Sequence, residues 1–172
     1  ITLGWCFFLL CLKSELFSLS QWVCFFISTF SLFRSAIFIH ELTHLRKGTF
    51  VTFRIAWNLL CGFPLMIPSF LYQGVHNDHH NINLYGTVDD GEYFPFVDKG
   101  RLKIILFILV SFLLPIFFFI RFVFLTPLSY CHANFRSLVL EKASALSIDL
   151  SYKRTRSSLN STPTWQAQEA IT

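Results

Sequence analysis

The stretch FFISTFSLFRSAIFIHELTH, residues 25–44, joins an apolar run to a pair of histidines and decides the fold. Its apolar part is interrupted by a single charged residue, Arg34. About 20 consecutive apolar residues are needed to span a bilayer as a helix. We therefore predict one long helix from about Ser20 whose last turns leave the lipid. Side chains four apart lie on one face of a helix, so His40 and His44 should sit side by side at its end.

The composition of the chain is that of a membrane protein. Of its 172 residues, 53% are hydrophobic and 22 are Phe, whereas only 14% are charged. Soluble domains of this length need a larger polar surface. The net charge is +4, and the basic residues cluster beside apolar runs, as membrane topology requires of cytoplasmic loops. This charge pattern does not indicate a nucleic-acid partner. The five cysteines form no CxxC pair, which indicates small apolar side chains.

A second apolar segment, residues 55–75, is uncharged but contains Pro64 and Pro68. Proline lacks a backbone N–H and clashes with the preceding turn, so a continuous helix is not expected here. We predict a broken segment that lies in the membrane interface or dips in and returns. This arrangement would leave residues 40–44 and 76–80 on the same side of the membrane.

The later part of the chain contains one more apolar region and a polar end. Residues 104–128 are largely apolar with Pro115 near the middle, which predicts either one kinked span or a tight helical hairpin. For residues 129–172 we predict a helix lying on the membrane surface followed by a polar tail.

Five of the six histidines fall into two groups, His40 with His44, and His76 with His79 and His80. The second group is the sequence HNDHH, which on a helix would present three imidazoles around one turn. Imidazole suits zinc, iron, copper and nickel. A single zinc ion takes three or four protein ligands, so five converging imidazoles indicate two metal ions.

HELTH followed by HNDHH resembles the membrane fatty acid desaturase and hydroxylase superfamily, whose members carry three histidine boxes. HELTH matches the first box and HNDHH the second, and the acidic DDGE at residues 89–92 is also similar to family members. The resemblance implies an all-α fold of integral membrane helices. It also implies a histidine-box cap facing the cytoplasm, with the interfacial broken helix between the first two boxes. On this basis residues 1–172 would form one partial membrane domain of the desaturase type.

The resemblance further implies an O2-dependent oxidoreductase that desaturates or hydroxylates a lipid acyl chain. Two iron ions would be held by the box histidines, His40, His44, His76, His79 and His80. Electrons would come from a small donor of the ferredoxin, rubredoxin or cytochrome b5 type. No third HxxHH follows His80, so we expect a fragment that is inactive alone. Acyl chains, carotenoids, sterols and alkanes all remain open as substrates.

Two other hypotheses fit parts of the same pattern. HELTH alone is the HExxH of zinc metalloproteases, in which Glu41 would be the general base acting on metal-bound water. A truncated, non-catalytic remnant of a desaturase-like protein would carry both boxes without activity. In the iron hypothesis, Glu41 and Asp78 would instead accept hydrogen bonds from the imidazole N–H groups that do not bind the metal, and so orient the rings.

Overall fold

The computed structural model describes residues 1–46, 48–93, 100–149, 152–154 and 163–172, and the regular structure of these residues is entirely helical. The predicted all-α fold is therefore confirmed. The α-helices are α1 Thr2–Lys13, α2 Leu19–Ala36, α3 Phe38–His44, α4 Val51–Trp57, α5 Val75–His79, α6 Arg101–Phe112, α7 Leu114–Ile120, α8 Thr126–Ser129, α9 Ala133–Lys142 and α10 Pro163–Ile171. Short π-helical turns at Asn58–Gly62 and Arg121–Leu125 and a 3₁₀ turn at Ser69–Leu71 complete the set.

The predicted long helix is present as α2 and α3, which run together from Leu19 to His44. These 26 residues are long and apolar enough to cross a membrane. Ser18 caps the start of α2 by accepting a hydrogen bond from the backbone N–H of Gln21. The helix α1 packs antiparallel against α2, where the Ser28 hydroxyl donates to the carbonyl of Gly4 at 2.9 Å. A side chain at Gly4 would collide with Leu32, so the small residue permits this close approach.

The predicted break between the two histidine segments is also confirmed. After α4 the chain passes through the π turn and Pro64, and regular helix resumes only at the 3₁₀ turn that follows Pro68. Asn58 holds the two sides of the break together. Its side-chain amide donates to Ser69 Oγ at 3.0 Å, and its side-chain oxygen accepts from the Ser69 backbone N–H at 2.9 Å. The buried Trp57 donates to the carbonyl of Ser35 in α2, which fixes the break against the long helix.

The apolar region after residue 100 is a bent helix and not a hairpin. The axes of Arg101–Phe112 and Leu114–Ser129 meet at 50°, and the two pieces together are long and apolar enough for a membrane span. Pro115 lies in the first turn of α7. Its missing N–H has no helical partner to lose there, which explains why the bend falls at Leu113.

The described residues of the C-terminal region are packed onto the helices by buried ionic contacts that the prediction of a polar tail did not include. Glu169 of α10 is only 4% exposed. Its carboxylate accepts from the Arg121 guanidinium at 2.5 Å and from Nη1 of Arg136 at 2.9 Å, and Arg121 is itself 2% exposed. A buried charge of this kind needs its partner, because desolvation is costly without one.

We expect Glu169→Gln to destabilise the packing of α10 by about 3–5 kcal/mol, since it leaves the Arg121 charge buried without a counter-ion. Limited proteolysis and thermal unfolding in detergent micelles would measure the loss. Burial raises the pKa of Glu169, but the hydrogen bonds and charges of Arg136 and Arg121 outweigh it and hold the pKa below the usual 4.5. The stabilisation should therefore persist above pH 4.5 and disappear as the pH falls below it. The exposed Glu15→Gln is the matched control, and equal melting temperatures for the two variants would contradict the assignment.

Candidate metal centre

The first histidine segment forms the short helix α3 at the end of the long helix. Ile39 and Leu42 are buried, at 6% and 2% exposed, and pack into the core with Trp57. This leaves the opposite face of α3 for His40 and His44, whose Nε2 atoms lie 3.4 Å apart. The spacing of four residues predicted this pairing, and the structure contains it.

The second histidine segment begins at Gly74, whose φ of +99° favours glycine and turns the chain into α5. His76 is 2% exposed and points at the first segment. Its Nε2 lies 2.8 Å from Nε2 of His44 and 3.1 Å from Nε2 of His80. His40 completes the group, with its ring centroid 4.3 Å from that of His76. We call these four residues, His40, His44, His76 and His80, the histidine cluster.

His79, the fifth predicted ligand, lies beside the histidine cluster and faces other partners. Its ring centroid is 6.1 Å from that of His76 and 5.7 Å from that of His80. Its Nδ1 atom lies 3.0 Å from both carboxylate oxygens of Asp90. The structure thus brings His40, His44 and His76 together, with candidate ligand atoms all within 4.8 Å of one another. It places His80 next to His76 and leaves His79 at the edge of the cluster.

Glu92 and Asp90 lie directly behind the histidines, a position that the sequence hypothesis had given to Glu41 and Asp78. Glu92 Oε1 is 2.7 Å from Nδ1 of His76, and the Tyr72 hydroxyl donates to Oε2 of the same carboxylate at 3.0 Å. Asp90 is fully buried against His79. Both residues belong to the DDGE motif. Its two acidic residues, two positions apart, were the sequence feature from which carboxylates behind the histidines could have been predicted.

Of the two carboxylates that the sequence hypothesis placed behind the imidazoles, one contacts a histidine and the other does not. Glu41 lies 3.2 Å from Nδ1 of His40 but is exposed. The expectation for Asp78 is wrong: its carboxylate accepts a hydrogen bond from the hydroxyl of the buried Tyr152 at 2.7 Å. Asp78 lies on the side of α5 opposite the cluster, where its hydrogen bond with Tyr152 holds the C-terminal region against α5.

Burial and hydrogen bonding set the charges of the site. Burial lowers the pKa of His76, and the hydrogen bond and charge of Glu92 only partly oppose this. Burial raises the pKa of Asp90, but hydrogen bonds from Gly86, His79 and Glu92 outweigh it and bring the pKa below its usual value. At neutral pH His76 is therefore neutral, as a metal-binding histidine must be, and Asp90 is ionised.

The histidine cluster fits a transition-metal ion by both geometry and donor type. Imidazole nitrogens bound at about 2.0–2.1 Å from one ion lie about 3 Å from each other. The Nε2 separations of 3.4 Å for His40 and His44 and 2.8 Å for His44 and His76 are close to that spacing. The candidate ligand atoms of these three residues all lie within 4.8 Å of one another. A donor set made only of imidazoles suits iron, zinc or copper and not magnesium or calcium.

Comparison with known proteins identifies the family of the chain. A sequence model described as fatty acid desaturase matches residues 17–152, which include both histidine segments and the DDGE motif. The chain belongs to the fatty acid desaturase family. A ceramide hydroxylase from Caulobacter vibrioides strain NA1000 / CB15N is 41% identical to it over 128 residues. The alignment covers 74% of this chain and 36% of the relative, so the chain spans about a third of the length of the curated relative that it matches. No solved structure matches the chain.

In this member of the desaturase family, an apolar cavity of about 280 Å³ opens beside the histidine cluster. Its lining includes Tyr72 and Glu92, which both contact His76, and Phe107, Val110 and Leu114 on one face of the bent helix. A second cavity of about 470 Å³ shares lining residues with the first and continues along the same helix face towards α9. The two cavities therefore adjoin, and the first is lined by two residues that contact His76.

Proposed function

We propose that this chain is the part of a membrane-bound, O2-dependent iron oxidoreductase that carries the first two histidine boxes. Its reaction would oxidise the hydrocarbon chain of a lipid. The observation that carries the proposal is the convergence of His40, His44 and His76, with His80 beside them, next to an apolar cavity. Two residues that line this cavity, Tyr72 and Glu92, both contact His76. A metal ion held by these histidines would lie beside a lipid chain in the cavity.

The metal ligands in this proposal are the histidine cluster together with His79, and the full enzyme would hold two irons. Bound iron, with O2 as co-substrate, supplies the oxidising power that an unactivated C–H bond requires. The residues of the chain bind and orient. The imidazoles hold the metal, Glu92 and Asp90 fix two of the rings, and the apolar wall of α6 keeps water from the reacting carbon.

The proposed substrate is a lipid with a long acyl chain, and ceramide is the first to test because the matched relative is named as a ceramide hydroxylase. The mostly nonpolar lining of the cavities suits an acyl chain. Basic residues after HELTH, Arg46 and Arg54, favour a cytoplasmic position for the boxes. A small electron donor would then reach His44 from its exposed side.

The zinc-protease hypothesis receives less support from the same geometry. A general base in that mechanism must reach water on the metal, which lies on the Nε2 side of His40 and His44. Glu41 instead contacts Nδ1 of His40, on the opposite side of the ring. In a protease site His76 would be the third zinc ligand, and His79 and His80 would then have no role.

Expression of the complete reading frame, followed by mass spectrometry of the host lipids, tests the proposed function. Hydroxylation adds an oxygen atom to a lipid chain, whereas desaturation removes two hydrogens, so the two outcomes are separated by mass. We expect new hydroxylated ceramides that disappear when iron is chelated. An unchanged lipid profile in cells fed ceramide, with the protein present and iron-loaded, would contradict the proposal.

Blocking the cavity provides a second test. We expect Val110→Trp to lower lipid oxidation at least about tenfold, because a large ring there displaces the chain from the metal. The iron content should not change, since the lining of the cavity that Val110 faces includes no histidine. Leu109→Trp is the matched control, because Leu109 lies on the exposed face of the same helix. Equal activity for the two variants would show that the lipid chain does not lie in this cavity.

A further inference from the structure

We propose that Asp90 and Glu92 are positioning residues that fix the tautomers of His79 and His76, so that each ring presents an unprotonated Nε2 to the metal. This inference rests on the proposed function for the identity of the metal. It is carried by contacts that are independent of the family pattern, because they involve the side of each ring that faces away from the metal.

Asp90 is held as a rigid, buried acceptor. Its carboxylate is fully buried and accepts the backbone N–H groups of Gly86 at 2.9 Å and Glu92 at 3.1 Å. The left-handed backbone of Gly86, with a φ of +73°, lets the loop curl around the carboxylate. The remaining partner is Nδ1 of His79, 3.0 Å from both oxygens. An ionised carboxylate can only accept, so Nδ1 of His79 must carry the proton.

Glu92 acts in the same way on the centre of the histidine cluster. Oε1 lies 2.7 Å from Nδ1 of His76, and Oε2 is occupied by the Tyr72 hydroxyl, so the carboxylate is tied at both ends. With the proton of a neutral His76 on Nδ1, its Nε2 has a free lone pair. That atom lies 2.8 Å and 3.1 Å from the Nε2 atoms of His44 and His80, at the point where a metal would bind.

Exchanging either carboxylate for its amide should reverse this arrangement with little change in shape. The side-chain N–H of Asn or Gln can donate to Nδ1, which moves the ring proton to Nε2 and blocks the metal side. Loss of a partner behind a metal-binding histidine typically weakens metal affinity by about 10–100-fold. We expect losses of that size for Asp90→Asn and for Glu92→Gln.

The experiment compares Fe²⁺ affinity, by competition with a chelator, for the protein expressed from its complete reading frame. The variants are Asp90→Asn and Glu92→Gln, and the control is Asp89→Asn, since Asp89 is exposed in the same loop. Imidazole ¹⁵N chemical shifts of the metal-free protein report the tautomers directly. We expect protonated Nδ1 in the wild type and the control, and protonated Nε2 at the affected ring in each variant. A residue with a purely structural role would leave the tautomer unchanged.

Three results would overturn the inference. They are an Fe²⁺ affinity within about twofold of wild type in both variants, an unchanged tautomer in both, or a wild type that binds no Fe²⁺. The first two leave the proposed function standing. A different set of results would separate the two proposals in the other direction. If the wild type binds iron and the variants lose it, but the wild type oxidises no lipid, the proposed function fails. The positioning role of Asp90 and Glu92 then stands.

Discussion

Replacing His76 with alanine is expected to abolish metal binding and, with it, lipid oxidation. His76 is the central member of the histidine cluster, since its Nε2 contacts the Nε2 atoms of both His44 and His80. It is also the most buried of the four and is backed by Glu92. Residues behind a metal ligand contribute about 10–100-fold to affinity, so loss of the ligand itself should cost more than about 100-fold. Metal analysis of the purified protein and chelator competition measure the effect.

His132→Ala is the matched control for this experiment. His132 is exposed and lies at the start of α9, outside the cluster. Its removal should leave the metal content at the wild-type level. A His76→Ala protein that is folded and retains its full metal content would show that the metal is bound elsewhere.

Replacing Arg154 with alanine is expected to cost about 4–5 kcal/mol of stability, which is among the largest effects of a single substitution. Arg154 is 2% exposed, and its guanidinium donates to the carbonyls of Phe70, Leu71, Gln73 and Ser144 at 2.7–2.8 Å. Burial lowers its pKa to about 10, so it remains a cation at neutral pH. Without the guanidinium, four carbonyls lose a charged hydrogen-bond donor. The segment that precedes α5 then loses its contacts with the C-terminal region.

The position of Arg154 gives the same variant a second readout. Three of the four carbonyls precede Gly74, where the helix that carries HNDHH begins. We therefore expect metal affinity to fall together with the unfolding temperature measured in detergent. Lys153→Ala is the control, because Lys153 is exposed beside it. Arg154→Lys keeps the charge but not the forked geometry, and should fall between the two. Equal stability of Arg154→Ala and the control would refute this role.

Sequence reasoning succeeded where a local rule determines the structure. The spacing of four between His40 and His44 follows from helix geometry, and the break before HNDHH follows from the chemistry of Pro64 and Pro68. Because the break turns the chain back, the two histidine segments meet. These rules use only near neighbours in the sequence, so they could be applied before the structure was known.

The contacts that sequence reasoning missed depend on long-range packing. Asp90 and Glu92 reach the histidines only because the loop after HNDHH curls at Gly86. Arg154 and Glu169 sit in a polar region whose composition is that of a solvated tail, yet each is buried against residues more than 30 positions away. Composition cannot distinguish a charge in water from one that is buried and paired.

Isotopically labelled dioxygen gives the most direct test of the central claim, that the histidine cluster holds the metal of a lipid-oxidising enzyme. Cells making the protein from its complete reading frame would be grown with ceramide under labelled dioxygen, and their lipids compared with those of cells making the His76→Ala variant. We predict hydroxylated ceramide that carries the heavy oxygen atom with the wild type and none with the variant. The same labelled product from both proteins, or a hydroxyl oxygen that comes from water, would contradict the account.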